Sequence, residues 1–193
     1  MKKYIIEWII AIIISIILVI VVKNFVFQSY TVHGDSMYPT LFDEDKVMVN
    51  KTNNFFNNYK RGDIVVLHAD NKTDYIKRLI GVPGDQIEYK NDILYINGRK
   101  VKEHYLEPNK NGEDGPNLTE DFNVRDIVNS NSSKIKKGYY LVLGDNRQVS
   151  KDSRKELGLV NEKNLVGSVE VRYWPLDDYK LSFYPKTFDV VNK

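Results

Sequence analysis

The chain has 193 residues, a formal net charge of +2, 42% hydrophobic residues and no cysteine. The missing cysteine excludes disulfides, thiolate ligation of metals and thiol nucleophiles. Lys2, Lys3 and Lys23 against Glu7 account for the whole net charge, so the remainder is balanced and has no basic stripe, which argues against nucleic acid as a main partner.

The chain begins with a basic Met1-Lys2-Lys3 and continues into an apolar run, 4–22, interrupted only by Glu7 and Ser15. At helical rise such a run spans roughly 28 Å, close to the hydrocarbon thickness of a bilayer. Residues 4–23 are therefore expected to form a transmembrane anchor, with 1–3 cytoplasmic and 24–193 an extracytoplasmic domain at the cell membrane. A cleaved signal peptide is the competing reading; KNFVFQSYTV after Val22 has no convincing small-x-small site, so a retained anchor is expected.

From Phe25 the pattern turns to β. Phe25, Val26, Phe27, Tyr30 and Val32 favour a strand, and Phe25 and Phe27 suit a core strand and a membrane-resting edge equally well. Residues 34–40 (GDSMYPT) follow as a Gly/Pro-bounded bend around Ser36. Such a bend is either an ordinary turn or a means of holding a serine exposed in one rotamer, as a nucleophile needs. Residues 53–59 (NNFFNNY) predict a loop, and 64–67 (IVVL) a short strand buried on both faces. Asn91-Asp92 and Asn97-Gly98 flank ILYI, predicting a three-stranded meander over 86–101. Residues 103–137, rich in Pro, Gly and Asn, predict an insertion or small cap. YYLVL at 139–143 restores a buried strand, 165–174 predicts a closing strand, and the residues after Pro175 look peripheral.

The chemistry centres on Ser36 and Lys77. The histidines His33, His68 and His104 are widely spaced without a paired-ligand pattern, so neither a metal nor another cofactor is expected. Lys77 lies in a strand-like apolar run, TDYIKRLI. A lysine there either snorkels from a strand edge or is buried and becomes a general base. At its ordinary pKa only about one lysine in 2,500 is neutral at pH 7, whereas at about 8 one in ten is.

Four blocks occur in order behind the apolar N-terminus: 34–41 (GDSMYPTL), 61–66 (RGDIVV), 75–85 (YIKRLIGVPGD) and 144–154 (GDNRQVSKDSR). In this the chain resembles the type I signal peptidases, the Ser/Lys-dyad serine proteases, in their compact Gram-positive form. The resemblance implies a mainly β fold: an N-terminal transmembrane helix, then an antiparallel two-sheet catalytic domain with 103–137 as a cap. It implies Ser36 as nucleophile and Lys77 as general base. Ser150 would orient the base, and Asp152 would tie down Arg78 and Arg154. Gly144 and Asp145 would serve as supporting scaffold with Asn146 and Arg147. The substrate would be the signal peptide of a secretory preprotein, cut after a small-x-small segment through an acyl-enzyme. It would lie along Tyr30, Val32 and Gly34 on one side and Asp74, Tyr75 and Ile76 on the other, with the bilayer as a second partner. Where some relatives carry a serine two positions before the nucleophile, this chain has Gly34. Self-cleaving repressor-type proteases share the dyad but lack such an N-terminus, and a silent binding protein would not need both Ser36 and Lys77.

Overall fold

The computed structural model describes residues 2–21, 25–56, 58–70, 72–110 and 117–192, without the side chains of Lys2, Lys3, Val21 and Phe55. Helix α1 covers Lys2–Val21, and its described side chains are exposed. Among the described residues no helix is long and apolar enough to cross a membrane. This corrects the expected transmembrane anchor over 4–23, whose end at Lys23 lies outside the described residues. The membrane localisation, the single-pass topology and the bilayer partner rested on that anchor and fall with it.

The domain that follows is built from antiparallel strands in two sheets. The chain runs through β1 (Phe27–Thr31), β2 (Lys46–Asn50), a short helix α2 (Thr52–Phe56), β3 (Ile64–His68) and β4 (Asp74–Gly81). Next come the meander β5 (Ile87–Lys90), β6 (Ile93–Ile96) and β7 (Arg99–Val101), then α3 (Glu107–Lys110) and β8 (Phe122–Asn123). The remaining strands are β9 (Tyr139–Leu143), β10 (Val160–Asn161), β11 (Leu165–Trp174) and β12 (Lys180–Leu181). The larger sheet has the order β1-β2-β11-β3-β4-β9-β10 with β12 on β11, and the smaller is β7-β6-β5-β8.

Local sequence explains much of this. Asn91, Asp92, Asn97 and Gly98 all take positive φ, the conformation that two-residue hairpin turns demand, so the meander forms as expected. Strand β3 is apolar throughout because both its faces are covered. Ile64 and Val66 pack with Met37, Leu41 and Val47, while Val65 and Leu67 pack with Leu79 and Val142. A third cluster, with Ile80, Ile87, Tyr89, Leu141 and Phe188, joins the two sheets.

Four expectations change. Residues 52–56 form a short helix where a loop was predicted; Asn50 accepts from the Thr52 N–H at 2.9 Å and hydroxyl at 2.7 Å, fixing its start. Phe25 and Phe27 are exposed, not core residues. Strand β11 closes the sequence of long strands but lies centrally, between β2 and β3, as its buried first half requires. The tail after Pro175 is peripheral at β12, yet Phe183 and Phe188 are buried and complete two of the cores.

Candidate active site

Ser36 stands in a tight turn held down from below. Met37 and Leu41 are buried in the core, and the Thr40 and Leu41 N–H groups both donate to the Met37 carbonyl, at 2.9 and 3.0 Å. Burying those two apolar residues turns the intervening polar ones outward, leaving Ser36 half-buried at the wall of a groove. Gly34 enters the turn with φ +76, where a side chain would be strained, and its N–H donates to Asp43 at 2.7 Å.

Lys77 comes from β4 and is 3% exposed. Its Nζ lies 2.8 Å from Ser36 Oγ and 3.0 Å from the Ile76 carbonyl, and stands 5.0 Å from the centre of the Tyr75 ring. No carboxylate forms an ion pair with it among the described residues. Burial therefore pulls its pKa from 10.5 down to about 8, against the weaker opposing fields of Asp152 and Asp145. A neutral amine at this distance can accept a hydroxyl proton.

The third segment, 144–154, closes over the back of the pair. The Asn146 N–H donates to the Ser36 carbonyl at 3.0 Å. A β-carbon on Gly144 would collide with Ser150 Oγ and the Ser36 carbonyl, so only glycine permits this approach. Ser150 is fully buried beside it, and its hydroxyl, near Asp152, completes no well-formed hydrogen bond. The expected Ser150–Lys77 hydrogen bond is thus not made in this arrangement, Nζ being turned to Ser36 and Ile76.

Expectation also paired Asp152 with both Arg78 and Arg154, and the structure divides them. Asp152 binds Arg154 at 2.8 and 2.9 Å and accepts the Gly144 N–H at 3.0 Å; burial raises its carboxyl, but the Arg154 contact outweighs this and leaves it lowered. Arg78 binds Asp145 instead, at 2.9 and 2.6 Å, and its guanidinium also reaches the Gly62 and Phe183 carbonyls. Neighbouring residues of a strand point to opposite faces, so Arg78 cannot share the groove with Lys77 and finds the carboxylate on the other face.

Sequence reading passed over two contributors. Thr40 donates to Asp145 at 2.5 Å, tying the Ser36 turn to the Arg78 ion pair. Glu103 accepts from Arg147 at 2.7 Å and from the hydroxyls of Tyr89 and Tyr105 at 2.9 and 2.5 Å, far inside the molecule. Thr40 lay within the first block and was visible there, whereas nothing local marks Glu103 as buried.

The groove is about 930 Å³ and runs between β1 and the first half of β4. Its walls are two unpaired strand edges. β1 is the outer strand of its sheet, and β9 pairs with β4 only from Arg78 onward, leaving 74–77 open on that side. Val32 spends its N–H and C=O on Asp45 and Glu44 of the opposite side, at 2.8 and 3.0 Å. By alternation Thr31 presents its backbone groups to the groove, while Tyr30 and Val32 line it without free backbone on that side. Leu79 bonds toward 62–63, so the same alternation turns Asp74 and Ile76 to the groove and Tyr75 away. Burial and the nearby Asp74 push the Tyr30 phenol up to about 12.

The chain is similar to known proteins. Residues 5–174 match the family described as signal peptidase, peptidase S26. Signal peptidase IB of Staphylococcus aureus (strain COL) is 47% identical over 188 residues, 96% of this chain and 98% of that protein. Signal peptidase I P of Bacillus subtilis subsp. natto is 49% identical over 179 residues, 91% of this chain and 92% of that protein. The crystal structure of a signal peptidase I from Enterococcus faecalis V583 superposes with a TM-score of 0.53 at 38% identity, covering 57% of this chain and 95% of that one. With near-complete coverage at almost half identity, this chain belongs to the S26 signal peptidase family and is a serine endopeptidase of that type.

Proposed function

We propose that Ser36 is the nucleophile and Lys77 the general base of an endopeptidase that removes signal peptides from secretory preproteins after a small-x-small segment. The observation carrying this reading is the 2.8 Å contact between Ser36 Oγ and a buried lysine that has no carboxylate partner among the described residues. The neutral Lys77 amine takes the Ser36 proton as Oγ attacks the scissile carbonyl. The resulting ammonium gives that proton to the leaving amine as the peptide bond breaks, leaving an ester on Ser36. Lys77, neutral again, takes a proton from an attacking water, which hydrolyses the ester and returns the proton to Ser36 Oγ. Ser150, whose hydroxyl completes no well-formed hydrogen bond, steadies the base when Nζ leaves Ser36.

An extended substrate fits the groove as an added strand, its backbone meeting Thr31 on one side and Asp74 and Ile76 on the other. The side chains of Tyr30, Val32 and Tyr75 and the turn at Gly34 then limit the size of the groups pointing into the walls. Residues 24–193 form the catalytic unit in this reading, with 103–137 an insertion in it.

The test is cleavage of a preprotein with an Ala-x-Ala site by purified variants. Ser36→Ala is expected to fold normally and to cleave nothing. Full turnover by that variant would refute the assignment.

A further inference from the structure

The insertion carries a side chain that reaches into the scaffold of the site. Asn109, in α3, is 9% exposed, and its Nδ2 donates to two main-chain carbonyls, Tyr38 at 2.9 Å and Asp145 at 3.1 Å. Tyr38 belongs to the Ser36 turn, and Asp145 to the segment that contacts Ser36 from behind. An amide has two N–H hydrogens, and the two bonds use both. One side chain from a third segment thus bridges the two segments that fix the serine.

We propose that Asn109 is a positioning residue for the peptidase reaction, setting the Ser36 turn against 144–146 so that Oγ faces Lys77 Nζ. It touches neither Ser36 nor Lys77 and does not line the groove. The direct ties between these segments are the Asn146 N–H on the Ser36 carbonyl and the Thr40 hydroxyl on Asp145. Both leave the middle of the turn, at Tyr38, to be held by Asn109. The support is itself firm: Leu106 is fully buried, Lys110 pairs with Asp92 at 2.6 Å, and the Arg78 guanidinium stacks 4.1 Å from the centre of the Tyr105 ring. The chemistry requires an amide. A carboxylate of the same shape would set one of its oxygens against two carbonyl oxygens, and alanine would leave both carbonyls without this donor.

This inference rests on the Ser36/Lys77 reading, so the experiment carries Ser36→Ala beside the Asn109 variants. Turnover by Ser36→Ala sinks the reading; an inactive Ser36→Ala with a wild-type Asn109→Ala sinks only the inference. Asn109→Ala is expected to lower kcat by about 10- to 100-fold with KM within about twofold, since a displaced turn costs orientation rather than binding. Asn109→Asp is expected to fall further. Lys110→Ala, which loosens α3 without touching the bridge, should keep kcat within about twofold of wild type with only a small Tm loss. If kcat instead tracks Tm across these variants, or if KM alone changes, the positioning role is overturned. Should the alanine variant fail to fold, Asn109→Ser supplies a single hydroxyl hydrogen. It is expected to show an intermediate kcat, and a wild-type value there would equally overturn the proposal.

Discussion

Lys77 and Arg78 are adjacent on one strand, carry the same formal charge and are both buried, yet they are treated in opposite ways. Arg78 faces a carboxylate that binds it through two hydrogen bonds, so that although burial disfavours its charge, Asp145 more than offsets this and its pKa is raised. Lys77 faces a serine hydroxyl and a carbonyl, and burial acts on it with little opposition. One face of β4 is thus a satisfied electrostatic frame, and the other a deliberately incomplete site. In the proposed mechanism Lys77 has to give up its proton easily, which a counterion would prevent, so the frame's carboxylates are directed elsewhere. Ser150 fits the same contrast, as a hydroxyl without a well-formed hydrogen bond beside a network in which Asp145, Asp152 and Arg147 are multiply bonded.

The contrast breaks most visibly if Lys77 is made like its neighbour. Lys77→Arg keeps the charge but cannot release a proton near neutral pH, so kcat/KM is expected to fall at least about 10³-fold, almost as far as Lys77→Ala. Substantial activity in the arginine variant, measured on one signal-peptide substrate, would mean that position 77 acts through charge alone.

Arg78→Met attacks the frame. It leaves Asp145 buried without its cation and is expected to destabilise by about 3–5 kcal/mol in urea unfolding. A loss under about 1 kcal/mol would show that Asp145 is held adequately by Thr40 and the main chain.

Lys77→Met should do the reverse. Because the folded pKa of about 8 lies below the ordinary 10.5 of the unfolded chain, the folded chain releases this proton earlier than the unfolded chain does. Wild-type stability therefore climbs relative to the methionine variant between those two pH values and is flat outside them. Below pH 8 the variant is expected to gain up to about 3 kcal/mol from relief of the buried charge, with nearly all of that gain gone by about pH 10.5. Equal pH dependence in the two proteins would contradict a depressed lysine.

The smallest expected effect sharpens the picture on the activity side. With a non-titrating substrate, log kcat/KM should rise with unit slope and level off near pH 8, where the free enzyme's Lys77 becomes neutral. A limb near pH 10 would mean that Lys77 is solvated when the enzyme works.

Much of this was legible from local signals. The meander follows from Asn-Asp and Asn-Gly at positive φ, the buried strands from unbroken apolar runs, and the Ser36 turn from Gly34 and Pro39 around two apolar anchors. The four blocks pointed to the serine, the lysine and the segment behind them as candidates, and the structure brings Ser36, Lys77 and 144–146 into contact. The apolar N-terminus shows the limit of composition: hydropathy alone predicted a span that the described helix does not supply.

What the sequence by itself determined was most of the strands and turns and which residues were candidates for the chemistry, since those preferences act over a few neighbours. Which carboxylate meets which arginine was decided by the tertiary structure, because Arg78 and Asp145 are 67 positions apart and meet only when β4 pairs with β9. The depressed pKa of Lys77 is of the same kind. A lysine's intrinsic chemistry is the same everywhere in the chain, and only the packing of distant strands removes water from this one while keeping the carboxylates of the described residues off its nitrogen.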